Sequence, residues 1–132
     1  MTPPLILDAS VLIAAMNPTD AHYRKAVALL RRGAIAGGLV AHPITIAESA
    51  VGAADHGRLD QLKSAYAGLG VITAEGDSGQ PWRLAQLRAE TRLPLPDCCV
   101  LDTAMELAGQ LATFDARLAT AADAHGIALV PT

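Results

Sequence analysis

The chain has 132 residues, 52% of them hydrophobic and only 3% aromatic, with a formal charge of −3. That length suits one domain over residues 1–132 with a proper core. No apolar run approaches the roughly 18 residues of a membrane span, and no basic segment followed by a long apolar stretch opens the chain. A soluble, cytoplasmic protein is expected, and any polyanion partner must be drawn by a local basic face or a bound cation.

Pro3 and Pro4 cannot donate to a central ladder, so the first strand begins at about Leu5 and runs through Ile6 and Leu7 into Asp8. Helix residues Val11 to Ala15 follow at once. In an open parallel sheet this places Asp8 at a strand's carboxyl end, where such sheets bind ligands. Asp8 or Ser10 serves equally well as a helix cap. Asn17-Pro18 marks a turn, Thr19 an N-cap, and Asp20 to Arg32 an amphipathic helix. Tyr23, Ala26, Val27 and Leu30 share one face, while Arg24, Lys25, Arg31 and Arg32 share the opposite one. That basic stripe is either a solvated face or a phosphate-contacting one.

Gly33, Gly37 and Gly38 are expected to end this helix, and Leu39 to Ala41 form a second strand closed by His42-Pro43. A helix from Ile44 to His56 stops at Gly57, with Ile44, Ala47, Val51 and Ala54 as its apolar stripe. Glu48 lies about 40° from Ile44 around the axis, at the edge of that stripe, where it needs a partner or a cation. Leu59 to Tyr66 is helical, Gly70 to Ile72 a third strand, and Thr73 to Pro81 the longest loop. Trp82 to Thr91 is helical, and Trp82 reads as a packing anchor.

Leu93-Pro94-Leu95-Pro96 gives a rigid entry to a helix from about Asp97 to Ala108. Asp102 sits about 140° from Asp97, so the two cannot face one site. Leu111-Ala112-Thr113-Phe114-Asp115 repeats the opening pattern, a short apolar strand running into a carboxylate, before a helix from Ala116 to Ala124. Ile127 to Val130 is the last strand. Alternating strands and helices predict parallel pairing.

Asp8, Glu48, Asp97 and Asp115 therefore come from segments that a parallel sheet gathers at one rim. Gathered carboxylates repel and take up protons unless a cation intervenes. An oxygen-only set suits Mg²⁺, or Mn²⁺ in its place, which polarises a phosphate oxygen and activates water against a phosphodiester. Other chemistries lack their residues. A phosphoaspartyl phosphatase needs a second Asp where Ser10 stands, and a receiver domain needs a late lysine, yet the last is Lys63. Neither GxGxxG nor GxxxxGK[ST] occurs, and His22, His42, His56 and His125 show no catalytic spacing. Cys98 and Cys99 are adjacent, which suits neither a metal knuckle nor a disulfide, and they read as small apolar packing residues at the start of a helix.

Leu7-Asp8-Ala9-Ser10-Val11-Leu12, Glu48 in a helix after a strand, Leu95-Pro96-Asp97 and Thr113-Phe114-Asp115-Ala116-Arg117-Leu118 together resemble a PIN-domain ribonuclease, in particular the VapC-type toxins of bacterial toxin–antitoxin modules. The resemblance spans nearly the whole chain. It implies an α/β protein, a PIN-like three-layer α/β/α fold with a central four- or five-stranded parallel sheet. It implies a Mg²⁺-dependent endoribonuclease in which Asp8 and Asp97 ligate the metal directly. Asp115 and Glu48 would act through water, with Ser10 and Thr113 supporting the acids. It further implies a homodimer, an RNA substrate that Arg24, Lys25, Arg31 and Arg32 would help guide, and a cognate antitoxin that occludes the acidic groove. Cys98-Cys99 departs from the small aliphatic residues usual in relatives and suggests an oxidation-sensitive flank. A catalytically silent PIN-like module that binds RNA or protein is the alternative reading.

Overall fold

The computed structural model describes residues 2–132. In chain order the elements are β1 (Leu5–Leu7), α1 (Ala9–Ala15), α2 (Tyr23–Ile35), β2 (Leu39–Ala41), α3 (Pro43–Asp55) and α4 (Leu59–Leu69). They continue with β3 (Val71–Thr73), α5 (Gln80–Thr91), α6 (Leu95–Glu106), β4 (Gln110–Ala112), α7 (Ala116–Ala124) and β5 (Ala128–Leu129). The five strands form one all-parallel sheet in the order β3-β2-β1-β4-β5. Register pairs Leu7 with Ala112, so β1 and β4 end side by side.

Strand alternation splits the core into two layers of apolar contact. Leu5, Leu7, Leu39, Ala41 and Ala112 face α1, α2 and Tyr66 of α4. Ile6, Val40 and Leu111 face the other way, toward Leu87 of α5, Leu101 of α6 and Leu118 of α7. Helices thus cover both faces, the condition under which short strands can be apolar throughout. Among the described residues no helix is long and apolar enough to cross a membrane.

Several elements depart from the sequence expectation. Residues expected to open α2 build turns instead: Thr19 donates its amide and hydroxyl to Asn17 Oδ1 at 3.1 and 2.7 Å, and the His22 amide donates to Asp20 Oδ1 at 2.8 Å. The helix starts at Tyr23 and runs through Gly33. Gly33 is a packing residue rather than a stop, because a Cβ there would stand 2.7 Å from both Leu5 Cδ2 and Leu39 Cδ2. Helix α6 begins at Leu95, ahead of Asp97, with the two prolines in its first turn and cap.

The largest correction concerns α3. Its expected apolar stripe faces outward, with Ile44 43% and Val51 58% exposed, while Thr45 is buried. His42 sets this phase: its Nδ1 accepts the Ile44 amide at 3.0 Å, so the helix starts directly at the strand end with Thr45 turned inward. Ser49, one turn on, donates to the Ile46 carbonyl and meets the Tyr66 hydroxyl at 2.8 Å.

Two glycines test this packing in opposite directions. Gly109 lies against the sheet, where a Cβ would fall 2.6 Å from Ile6 Cγ1 and 2.9 Å from the Pro4 carbonyl oxygen. Gly109→Ala should destabilise by about 1–3 kcal/mol through overpacking. Gly52, inside α3, has open space around it, and Gly52→Ala should stabilise by roughly 0.5–1 kcal/mol. Urea unfolding midpoints check both, and equal shifts would contradict the packing described.

Candidate active site

Asp8 is buried at the carboxyl end of β1 and caps α1, with its Oδ1 accepting the Ala9 amide at 2.8 Å. Its Oδ2 accepts two hydroxyls, Ser10 Oγ and Thr113 Oγ1, each at 2.7 Å. Those hydroxyls also accept protons from the β4 side. The Phe114 amide donates to Ser10 Oγ at 3.1 Å, and the Asp115 amide donates to Thr113 Oγ1 at 3.0 Å. Every hydrogen is accounted for, because an ionised carboxylate only accepts. The web locks the Asp8 turn to the Asp115 turn, and the parallel register of β1 and β4 is what brings them together.

Asp115 caps α7, its Oδ1 accepting the amides of Arg117 and Leu118 at 2.9 and 3.2 Å. Cap and site roles coexist in both aspartates, since each retains further acceptor capacity. Phe114 between them stacks on His22, with centroids 4.3 Å apart.

Asp97 stands in the first turn of α6 and Glu48 in the second turn of α3. The Asp97 carboxyl is pushed up to about 6, chiefly by burial and then by the charges of Asp8, Asp115 and Glu48, with Arg117 opposing. Partial burial followed by the Asp8 charge also raises Glu48. All four acids named from the sequence therefore share one electrostatic field. Among the described residues no three acidic, histidine or cysteine side chains converge closely enough to hold a metal ion on their own. The donor set nevertheless fits a small hard cation. Mg²⁺ takes one or two carboxylates and fills its shell with water, so it does not need three protein ligands at one point.

The basic stripe divides along α2. Arg24 and Lys25 are exposed on the first turn, whereas Arg32 lines a cleft with Thr2, Pro3 and Gly37 at the amino edge of the sheet. None of the four is among the charges that act on Asp97 or Glu48. Arg117, two residues past Asp115, is the cation whose charge reaches Asp97. Sequence reasoning passed over it because no spacing rule marks an arginine in that place. Thr45, one helical turn before Glu48, has a buried hydroxyl with no partner among the described residues, the kind of group that holds an internal water.

Asp102 faces away from Asp97, as its helical angle requires. It is 1% exposed and accepts Arg83 Nε at 2.7 Å, a second Arg83 N–H at 3.1 Å and Gln80 Nε2 at 3.3 Å. Arg83 also pairs with Asp77 and Glu106, so α5 and the loop before it are held to the helix that carries Asp97. The cysteines pack as small apolar residues at the start of α6, as expected. Both are buried, burial raises both thiols, and Cys99 is pushed up to about 11. Buried thiols that hold their protons give no support to an oxidation-sensitive flank.

A family model described as PIN domain matches residues 5–124. No curated protein matches the chain. Solved structures do. A toxin–antitoxin complex from Klebsiella pneumoniae is 23% identical, covering 84% of this chain and 86% of that one with a TM-score of 0.69. VapBC2 from Rickettsia felis, bound to a promoter DNA fragment, is 16% identical over 96% of each chain, with a TM-score of 0.69. VapBC-1 from nontypeable Haemophilus influenzae is 17% identical over 96% of each chain, with a TM-score of 0.68. At these identities the likeness is one of fold.

The raised Asp97 carboxyl makes a stability prediction. Its native value of about 6 lies above the roughly 3.9 of an unfolded Asp. Between those values the native state binds more protons, so stability falls as pH rises from about 4 to about 6 and stays reduced above. Allowing for partial exposure, Asp97→Asn should stabilise the metal-free protein at neutral pH by about 1–2 kcal/mol. Chemical denaturation across pH checks this, and a destabilised variant at pH 7 would contradict it.

Proposed function

The chain belongs to the PIN-domain family, and from that premise we propose that it is a metal-dependent endoribonuclease acting as the toxin of a toxin–antitoxin module. PIN domains are generally nucleases that use divalent metals. The observation carrying the reading here is the field around Asp97, a half-buried acid raised by desolvation and then by three other carboxylates. A purely structural rim would gain nothing from keeping four like charges in mutual range.

Mg²⁺, or Mn²⁺ in its place, would offset that repulsion and supply Lewis acidity at the scissile phosphate. Asp8 and Asp97 are the residues to hold it directly. Ser10 and Thr113 fix the Asp8 carboxylate through the two hydroxyl bonds, so its orientation does not depend on the ligand. Asp115 acts through water, held by the first amides of α7. Glu48, whose hold on a proton is strengthened, orients the attacking water and receives its proton. In-line attack by water leaves a 5′-phosphate and a 3′-hydroxyl, and the RNA 2′-hydroxyl takes no part. Arg24 and Lys25, exposed on the first turn of α2, guide the strand; Arg31 and Arg32 lie farther along that helix.

An antitoxin is the proposed protein partner, in keeping with the complexes that share this fold. A groove of about 760 Å³ between α1, α3 and α4, with Ile13, Met16 and Leu62 in its lining, offers an apolar seat for a segment of it. A homodimer is proposed as the working form, and it would cover apolar side chains such as Ile35, 87% exposed, and Trp82, which is 77% exposed and so is not the packing anchor expected of it within the chain. The setting proposed for this activity is the cytoplasm.

Purified protein should cleave RNA with Mg²⁺ or Mn²⁺ and stop on chelation. Asp8→Ala and Asp97→Ala should each lower the rate by about 100-fold or more while leaving the fold intact by circular dichroism. Undiminished cleavage by both variants, or a cyclic phosphate product, would overturn the site and the mechanism respectively.

A further inference from the structure

We propose that the cleft between the end of α5 and helix α7 seats a nucleotide of the RNA strand next to the bond that is cut, with Arg92 and Arg117 holding its phosphates. This rests on the nuclease reading above. The cleft has a volume of about 460 Å³ and lies between the two segments that deliver Asp97 and Asp115. Leu93 lines it four residues before Asp97, and Arg117 lines it two residues after Asp115. A strand whose phosphate lies at the acids therefore passes the cleft mouth.

Its chemistry matches a nucleotide. Arg117, Thr120, Ala121 and Ala124 recur at helical spacing along one side of α7, so a cation at the mouth leads onto a small, largely apolar wall. Leu93 closes the floor. At the far end His125 Nε2 donates to Glu90 at 3.2 Å and His125 Nδ1 to the Ala121 carbonyl at 2.9 Å, so a base edge arriving there would meet the remaining acceptor capacity of the Glu90 carboxylate. RNA readers stack unpaired bases on aromatic rings or on arginine planes. This cleft holds no aromatic ring beyond His125, which leaves the arginines to play that part.

Charge also favours a polyanion. Arg92 sits between Thr91 and Leu93, both of which line the cleft, and neither Arg92 nor Arg117 joins an ion pair among the described residues. Arg92 adopts a left-handed cap with φ of 63°, a place that glycine usually fills. Glycine would fit that backbone better, so a variant can separate fold from binding.

The test uses the full chain carrying Asp97→Asn to stop turnover, with anisotropy of a labelled short single-stranded RNA of random sequence measured across salt concentrations. Adding Arg92→Gly should leave the melting temperature equal or higher, yet weaken RNA binding several-fold. It should also flatten the slope of log affinity against log salt by about 0.7, the value of one lost phosphate contact on a single strand. Arg117→Ala should do the same to binding and slope. Ala124→Leu, an exposed helix position filled by a good helix former, should weaken binding without changing the slope. Lys63→Ala, on α4, serves as the reference substitution and should leave both unchanged. Wild-type affinity and slope in all three cleft variants would overturn the cleft assignment while wild-type cleavage kept the nuclease reading standing. An Asp97→Asn parent that does not bind RNA would overturn the cleft assignment, and a wild-type chain that does not cleave RNA would overturn the nuclease reading with it.

Discussion

The pairing of β1 with β4 is the constraint on which the proposed site depends. Both strands end in a turn that carries an aspartate, and parallel register sets those turns side by side. Ser10 and Thr113 then tie them: both hydroxyls donate to Asp8, Ser10 accepts the Phe114 amide from the opposite turn, and Thr113 accepts the Asp115 amide of its own. Two carboxylates are thereby fixed in range of each other before any ligand is present. Helices α3 and α6 add Glu48 and Asp97 to the same rim. The fold opposes its own charges there, and the ion pair of half-exposed Arg83 with buried Asp102 ties α6 to α5.

Such an arrangement costs stability and gains a preformed place for a cation. Asp97 reports the cost directly, through a carboxyl that holds its proton far above the usual Asp range. Natural sites commonly trade stability for function in this way. The rest of the sheet compensates with tight packing. Gly33 and Gly109 admit close approach of helix and turn to the strands, and Ile6, Leu7, Leu39 and Leu111 are fully enclosed.

The five-stranded parallel fold was legible because its signal is local. Leu7-Asp8 and Thr113-Phe114-Asp115 each announce a strand end within a few residues, and the prolines around Leu95 announce a helix start. Orientation around an axis was less legible. Periodicity found the apolar stripe of α3 but not which way it turns, because the His42 cap and the strand-to-helix junction set that phase. Gly33 read as a stop since a sequence cannot show that a neighbouring strand lies where its side chain would be. Arg117 and the Arg83–Asp102 pair stayed hidden for a related reason. Their partners lie 19 to 20 residues away, across elements whose packing no spacing rule encodes. The cysteines were legible as small packing residues at a helix start, whereas their burial, which decides thiol chemistry, belongs to the tertiary structure.

The central claim is that Asp97 lies in a field made by the other acids and relieved by a divalent cation. Carbon-13 NMR titration of the Asp97 side-chain carboxyl tests it most directly. The account predicts titration near pH 6 in the metal-free protein. It predicts a lower value in Asp8→Asn, and a lower value again for the wild type in saturating Mg²⁺. An Asp97 that titrates near 4 and responds neither to Asp8→Asn nor to Mg²⁺ would contradict it.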